Sequence, residues 1–274
     1  MNDPWAPPPY QASAPVPAPA AAAAAQSTRS AETSSNDTPY AFLRDFDTIF
    51  VVDDSSSMRG QRWKEAEDAL AAIAPICTQY DEDGIDIYFL NHRRDTIKKS
   101  KGGYNNITTA DDVREIFGSV YPHGPTPFGK RLYEILDSYM RDLEKAIAKD
   151  KGESTSSELV KPLNIIAITD GAFTDDAETT IANVAERLDG KRCRAVPWQV
   201  GIQFFQIGND PAATRYLQEL DDSLAEMQHK DHLRDMVDTV PWRGDQGQTL
   251  SADGILKCVL GAVHKKYDKR DAFQ

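Results

Sequence analysis

Three short stretches carry oxygen-bearing side chains in a pattern that can hold a cation. Asp53-Asp54-Ser55-Ser56-Ser57 follows directly on the apolar run TIFVV, and Thr169-Asp170-Gly171 closes the run LNIIAIT. The third, His123-Gly124-Pro125-Thr126-Pro127, stands ahead of a helical period. Residues two apart on an extended chain point the same way, so Asp53, Ser55 and Ser57 are expected to converge, with Asp54 facing away between them. A hard cation such as Mg²⁺ takes octahedral oxygen coordination at about 2.1 Å and keeps several positions for water or ligand. The hydroxyls of Ser55, Ser57 and Thr126 and the carboxylates of Asp53 and Asp170 supply such a shell. Where hydroxyls bind directly and carboxylates through water, the ion stays electrophilic and accepts a further carboxylate.

Each piece also has a plainer reading. Ser57 can cap the helix after it, Thr126 before Pro127 fits an N-cap with Pro at the first helical position, and Asp170-Gly171 fits a turn. Their joint occurrence at the ends of successive strands favours one shared site.

The elements that must position them alternate. Thr48–Val52, Ile85–Leu90 (with Asp86 as the exception), Leu163–Thr169 and Val200–Ile207 are apolar runs, and a shorter strand is expected near Met236–Val240. Strands apolar on both faces suit a parallel sheet covered on both sides. Between them run helical stripes: Trp63, Ala66, Leu70, Ile73 and Cys77; Phe128, Leu132, Ile135, Tyr139 and Leu143; Ile181, Val184 and Leu188; Tyr216, Leu220 and Leu224. A last stripe, Ile255, Val259 and Val263, predicts a helix over Ser251–Lys266. The polar stretch Lys149–Ser157 reads as a surface loop. The fold class is therefore α/β, a Rossmann-like doubly wound, mostly parallel sheet with helices on both faces. Ligands of such sheets bind beyond the carboxyl ends of the strands, where strand order reverses.

Residues 1–38 are rich in proline and alanine and hold only Trp5 and Tyr10 as aromatics, which predicts a disordered tail ahead of a globular domain at 39–274. The net charge of −12 over 274 residues argues against a nucleic-acid partner and against docking on an anionic membrane. No apolar run reaches the roughly 18–20 residues of a membrane helix, and the first residues lack a signal-peptide pattern. Cys77, Cys193 and Cys258 stand far apart and fit packing residues in a reducing compartment. The expected location is the cytoplasm or the nucleus.

The pattern Asp53-x-Ser55-x-Ser57, then Thr126, then Asp170-Gly171, resembles the metal-ion-dependent adhesion site of von Willebrand factor type A domains. DTIFVVDDSSSM, HGPTPFGKRL, LNIIAITDG, VGIQFFQIGND, DMVDTVPW and DGILKCVLGAVHKK resemble the intracellular type A domain proteins of filamentous fungi, over about Tyr40 to Tyr267. One departure is Ser56, where many members have Gly. The resemblance implies a bound Mg²⁺ or Mn²⁺ and an acidic residue of a partner at the metal, and it implies no catalysis. It also implies that Ser55, Ser57 and Thr126 are direct or near-direct ligands while Asp53 and Asp170 hold metal-bound waters and orient the hydroxyls. In some relatives the last helix moves when ligand binds.

Other motifs are separate. Pro7-Pro8-Pro9-Tyr10 fits the PPxY ligand of WW domains and points to a WW-domain partner such as a HECT ubiquitin ligase. Arg243-Gly244-Asp245 reads as an accidental RGD, and His229 with His232 as solvated histidines lacking two further zinc ligands. An alternative function is Mg²⁺-dependent phosphoryl transfer with Asp53 as nucleophile, although Ser55 stands where such enzymes need a second carboxylate. No GxxxxGK[ST] or GxSxG motif is present. A metal-free scaffold is the third reading.

Overall fold

The computed structural model describes residues 41–79, 83–94, 101–150, 152–230 and 233–241. Six strands form one sheet: β1 (Asp47–Val52), β2 (Ile85–Phe89), β3 (Tyr104–Ile107), β4 (Leu163–Thr169), β5 (Val200–Gln206) and β6 (Val237–Pro241). Their order is β3-β2-β1-β4-β5-β6, parallel throughout except for β3, which pairs with β2 antiparallel. The helices are α1 (Gln61–Thr78), α2 (Ala110–Ser119), α3 (Phe128–Asp150), α4 (Ser156–Leu159), α5 (Ala177–Asp189), α6 (Pro211–Asp222) and α7 (Leu224–Met227).

Alternate residues of the central strands feed two separate cores. Ile49, Val51, Ile165, Ala167, Ile202 and Phe204 face one core, with Leu132 and Leu136 of α3, Ile181 of α5 and Leu217 of α6. Phe50, Val52, Ile166, Ile168 and Phe205 face the other, with Leu70 and Ile73 of α1 and Val113 and Phe117 of α2. A strand buried on both faces is apolar at most positions, which is why these strands read as near-continuous apolar runs, with Asn164, Gln203 and Gln206 as buried polar exceptions. The doubly wound α/β architecture is thus present, with helices on both faces of a mostly parallel sheet.

β3 and α2 are among the elements not expected from the sequence. β3 is YNNI, too polar to register as a strand, and it lies at the sheet edge where one side of the ladder is open. α2 carries a capping threonine, Thr109, whose hydroxyl accepts from Asp112 N at 3.1 Å, and buries only Val113, Ile116 and Phe117. The loop expected over Lys149–Ser157 is partly helical instead. α3 runs on to Asp150, and α4 begins at Ser156 with a capping box between Thr155 and Glu158. The side chain of Asp150 ends the long helix locally, taking Glu153 N at 2.8 Å and Ser154 N at 2.7 Å.

Cys77 and Cys193 are buried, as packing residues. His229 is exposed. The segment with Pro7–Tyr10, His232, the RGD at Arg243, Cys258 and the stripe over Ser251–Lys266 lie outside the described residues. Among the described residues no helix is long and apolar enough to cross a membrane.

Candidate metal centre

The strand order reverses between β1 and β4, since the chain leaves β1 first to one side and later to the other. That crevice is the switch point at which open α/β sheets bind ligands. The ladder carries past both strands: Asp53 N donates to Ile168 O at 2.8 Å, and Ile207 N donates to Thr169 O at 2.7 Å. Asp53 and Asp170 therefore leave the ends of adjacent strands side by side.

Four of the five expected residues are joined by hydrogen bonds. Asp53 Oδ1 accepts Ser55 N at 2.8 Å. The hydroxyls of Ser55 and Ser57 lie 2.9 Å apart, and the Ser57 hydroxyl donates to Asp170 Oδ1 at 2.8 Å. Thr126 is brought to the same end by backbone. Ser56 N donates to Gly124 O at 3.1 Å, and His123 N donates to Asp54 O at 2.6 Å. The Thr126 hydroxyl has no hydrogen-bond partner among the described residues, and the residue is buried.

The means of convergence differs from the extended alternation expected of Asp53, Ser55 and Ser57. Ser55 is extended (φ −70°, ψ 169°), but Ser56–Met58 closes a 3-10 turn. The turn, not a straight strand, brings Ser57 back toward Ser55. Nor does Ser57 cap α1, whose N-cap is Gly60. Thr126 does not cap α3 with its side chain either. Asp175 does that, accepting Gly129 N at 3.0 Å and Lys130 N at 2.7 Å.

Asp54 faces away from the cluster and has its own task. Its carboxylate accepts Asn91 N and His92 N, both at 2.7 Å, and fixes the loop after β2. Asn91 Nδ2 in turn donates to Pro125 O at 2.8 Å, one residue before Thr126. From the other side, Thr174 and Thr126 bond reciprocally: Thr126 N donates to Thr174 Oγ1 at 3.1 Å, and Thr174 N to Thr126 O at 3.0 Å. Thr126 is thus held between the loops after β2 and after β4. Gly124 supplies the left-handed turn between them, at φ +81°.

Electrostatically, the site buries two carboxylates together. Burial pushes Asp53 up to about 6, offset in part by hydrogen bonds from Ser55 and Thr169, while the nearby Asp170 charge raises it further. Thr169, the last residue of β4, donates to Asp53 Oδ2 at 2.7 Å. Arg62, near the start of α1, forms an ion pair with Asp170. Arg62, Asn91, Thr174 and Asp175 all shape the site without having been marked in the sequence, and Thr169 was marked only as part of the strand end. A hydroxyl at the end of the LNIIAIT strand was the one local signal, and it pointed only to Thr169.

The donor set fits a hard divalent cation. Among the described residues no group of three or more His, Cys, Asp or Glu side chains is arranged to hold a metal ion. The cluster instead joins two buried carboxylates to serine and threonine oxygens, all hard ligands. Buried like charges are costly unless a cation offsets them, and a divalent ion would do so here. Ser57, Gly124 and Pro125 are exposed, so the cluster is open to solvent on one side.

A doubly wound domain with an oxygen-only cluster at its switch point is the class of structure these features define. No family model matches the chain, and no curated protein matches it. Among solved structures 33 chains match. One is described as "Crystal structure of manganese-loaded Plasmodium vivax TRAP protein", with 12% identity, 73% of this chain and 70% of that chain covered, and a TM-score of 0.36.

Proposed function

We propose that the chain is a metal-dependent protein-interaction module of the von Willebrand factor type A kind. Ser55, Ser57 and Thr126 would hold Mg²⁺ or Mn²⁺, with Asp53 and Asp170 orienting them and the metal's waters. When bound, the ion would supply a Lewis-acidic position for an Asp or Glu of a partner protein. The observation that carries this reading is the continuous link Asp53–Ser55–Ser57–Asp170 at the switch point, open to solvent beside Ser57.

The chain's own residues prepare the site. Thr169 and Ser55 N occupy the two oxygens of Asp53 and fix its orientation. The loop bonds through Asn91 and Thr174 hold Thr126 in place before any ion arrives.

The test is calorimetric titration of Mg²⁺ and Mn²⁺ into wild type and Asp53→Ala. Saturable binding that the substitution abolishes is the expected result. Partner binding that survives both EDTA and Asp53→Ala would overturn the metal bridge. Pro7–Tyr10 is proposed as a second docking point, for a WW-domain protein such as a HECT ubiquitin ligase. Undiminished pulldown of a WW domain by Tyr10→Ala would remove that part of the proposal.

A further inference from the structure

The Asp170 carboxylate already has a cation. Its Oδ1 takes the Ser57 hydroxyl at 2.8 Å, and its Oδ2 pairs with Arg62 Nη1. Among the described residues no other Lys or Arg pairs with Asp53 or Asp170. The side chain of Asp170 is 2% exposed and that of Arg62 39%, so the guanidinium stands on the solvent side of a buried carboxylate. Arg62 lies seven residues after Ser55, and the same Nη1 lies 3.5 Å from Ser57 O. On its far side Gly208, at φ +75° after β5, leaves room for the guanidinium. A Cβ there would lie 3.4 Å from Arg62 Nε.

We infer that Arg62 is an exchangeable counter-ion of the metal centre, which a divalent cation must displace from Asp170, so that Arg62 sets the site's metal affinity. The inference rests on the metal-site reading above. A guanidinium stays charged at every working pH and has no lone pair to offer a metal. It cannot join the coordination shell, and close to a divalent ion it is repelled. Metal occupancy and the Arg62–Asp170 pair therefore oppose each other, and the antagonism is reciprocal: metal weakens the pair as much as the pair weakens metal. Arg62 has the means to leave, because its long side chain is partly exposed and pairs at a single carboxylate oxygen. Once released it becomes a free cation at the rim, where an acidic partner segment can meet it.

The experiment is calorimetric titration of Mg²⁺, and separately Mn²⁺, into the full chain at fixed pH and salt. Four proteins are compared: wild type, Arg62→Gln, Arg62→Lys and Arg59→Gln. Arg59 is the control for general charge. It stacks over Tyr121 and donates to Pro122 O at 2.9 Å, and it pairs with neither site carboxylate. Arg62→Gln is expected to bind both ions about two- to fivefold more tightly, the range for an ion pair with a solvent-exposed partner. Arg62→Lys and Arg59→Gln should stay near wild type. Thermal unfolding gives a second readout: Arg62→Gln should melt lower than wild type without metal and lose that deficit when metal saturates. Arg62→Met replaces Arg62→Gln if the latter does not fold. Equal or weaker binding by the folded Arg62 variant, beside a wild type that binds, overturns the counter-ion role alone. An equal gain in Arg59→Gln also overturns it, because long-range charge would then suffice. Failure of all four proteins to bind either ion overturns the metal site, and this inference with it.

Discussion

The Ser57 hydroxyl donates to Asp170 Oδ1 at 2.8 Å across 113 residues of sequence. This bond ties the loop after β1 to the end of β4, and it runs between two groups proposed to serve one ion. Its loss would remove a ligand and leave Asp170 Oδ1 without its donor.

Ser57→Ala should therefore weaken Mg²⁺ binding by at least about 10–100-fold, the range already found for residues that only support a metal's ligands. Ser57 is exposed and packs little, but its loss strips a donor from the buried Asp170, so without metal the unfolding free energy should fall by about 1–3 kcal/mol. Titration calorimetry and urea denaturation on the same preparation separate the two. Unchanged metal affinity would show that Ser57 is no ligand.

Asp54 should act from outside the proposed ligand set. It is fully buried and accepts Asn91 N, Asn91 Nδ2 and His92 N. Asp54→Ala would strand those donors inside the protein and should cost about 3 kcal/mol in urea denaturation. Metal affinity should fall too, though the residue is no ligand, because Asn91 positions Pro125 and hence Thr126. A stable Asp54→Ala variant with normal Mg²⁺ binding would contradict this chain of contacts.

The contrast between Ser57 and Asp54 shows what the sequence could and could not convey. The central strands were legible because burial on both faces favours near-continuous apolar runs, and Asp53, Ser55, Ser57 and Asp170 because they follow the ends of two of those runs. Asp54 could be read as turned away, but not as the brace for Asn91 and His92, 37 and 38 residues onward. Arg62 sat unnoticed in QRWKEAED, a stretch that reads as an ordinary helix face. Its pairing with Asp170 spans 108 residues and depends on tertiary packing alone. β3 was hidden for a different reason: an edge strand of Tyr and Asn satisfies its backbone with little apolar burial and leaves no periodic trace.

Two helical glycines should respond with opposite signs to the same substitution. A Cβ on Gly129 of α3 would lie 2.8 Å from Asp176 O and 2.9 Å from Ala177 Cα, both backbone atoms at the start of α5. Gly129→Ala should therefore destabilise by about 1–3 kcal/mol, the cost of overpacking. A Cβ on Gly118 of α2 meets nothing within 4 Å. There the gain in helix propensity acts alone, and Gly118→Ala should stabilise by about 0.5–1 kcal/mol. Thermal or urea melts of the two variants check both signs, and a stabilised Gly129→Ala would mean that α3 and α5 are less tightly apposed.

The pH response follows from Asp53. Burial raises it from 3.8 to about 6 in the folded chain, so the folded state holds this proton more tightly than the unfolded chain does. The stabilising contribution is fully present below about pH 4, where both states are protonated, and is lost as pH rises toward about 6. Asp221, also pushed up to about 6 by burial and by Asp238, adds in the same direction. Without metal, the unfolding free energy should carry a downward component between these limits, and Asp53→Asn should remove part of that slope. Metal binding should show the reverse trend, because the ion favours ionised Asp53. Mg²⁺ affinity should fall as pH drops below about 6, faster in wild type than in Asp53→Asn, in whatever binding that variant retains. A wild-type affinity that is flat from pH 7 to pH 5 would show that Asp53 plays no part in holding the ion or its waters.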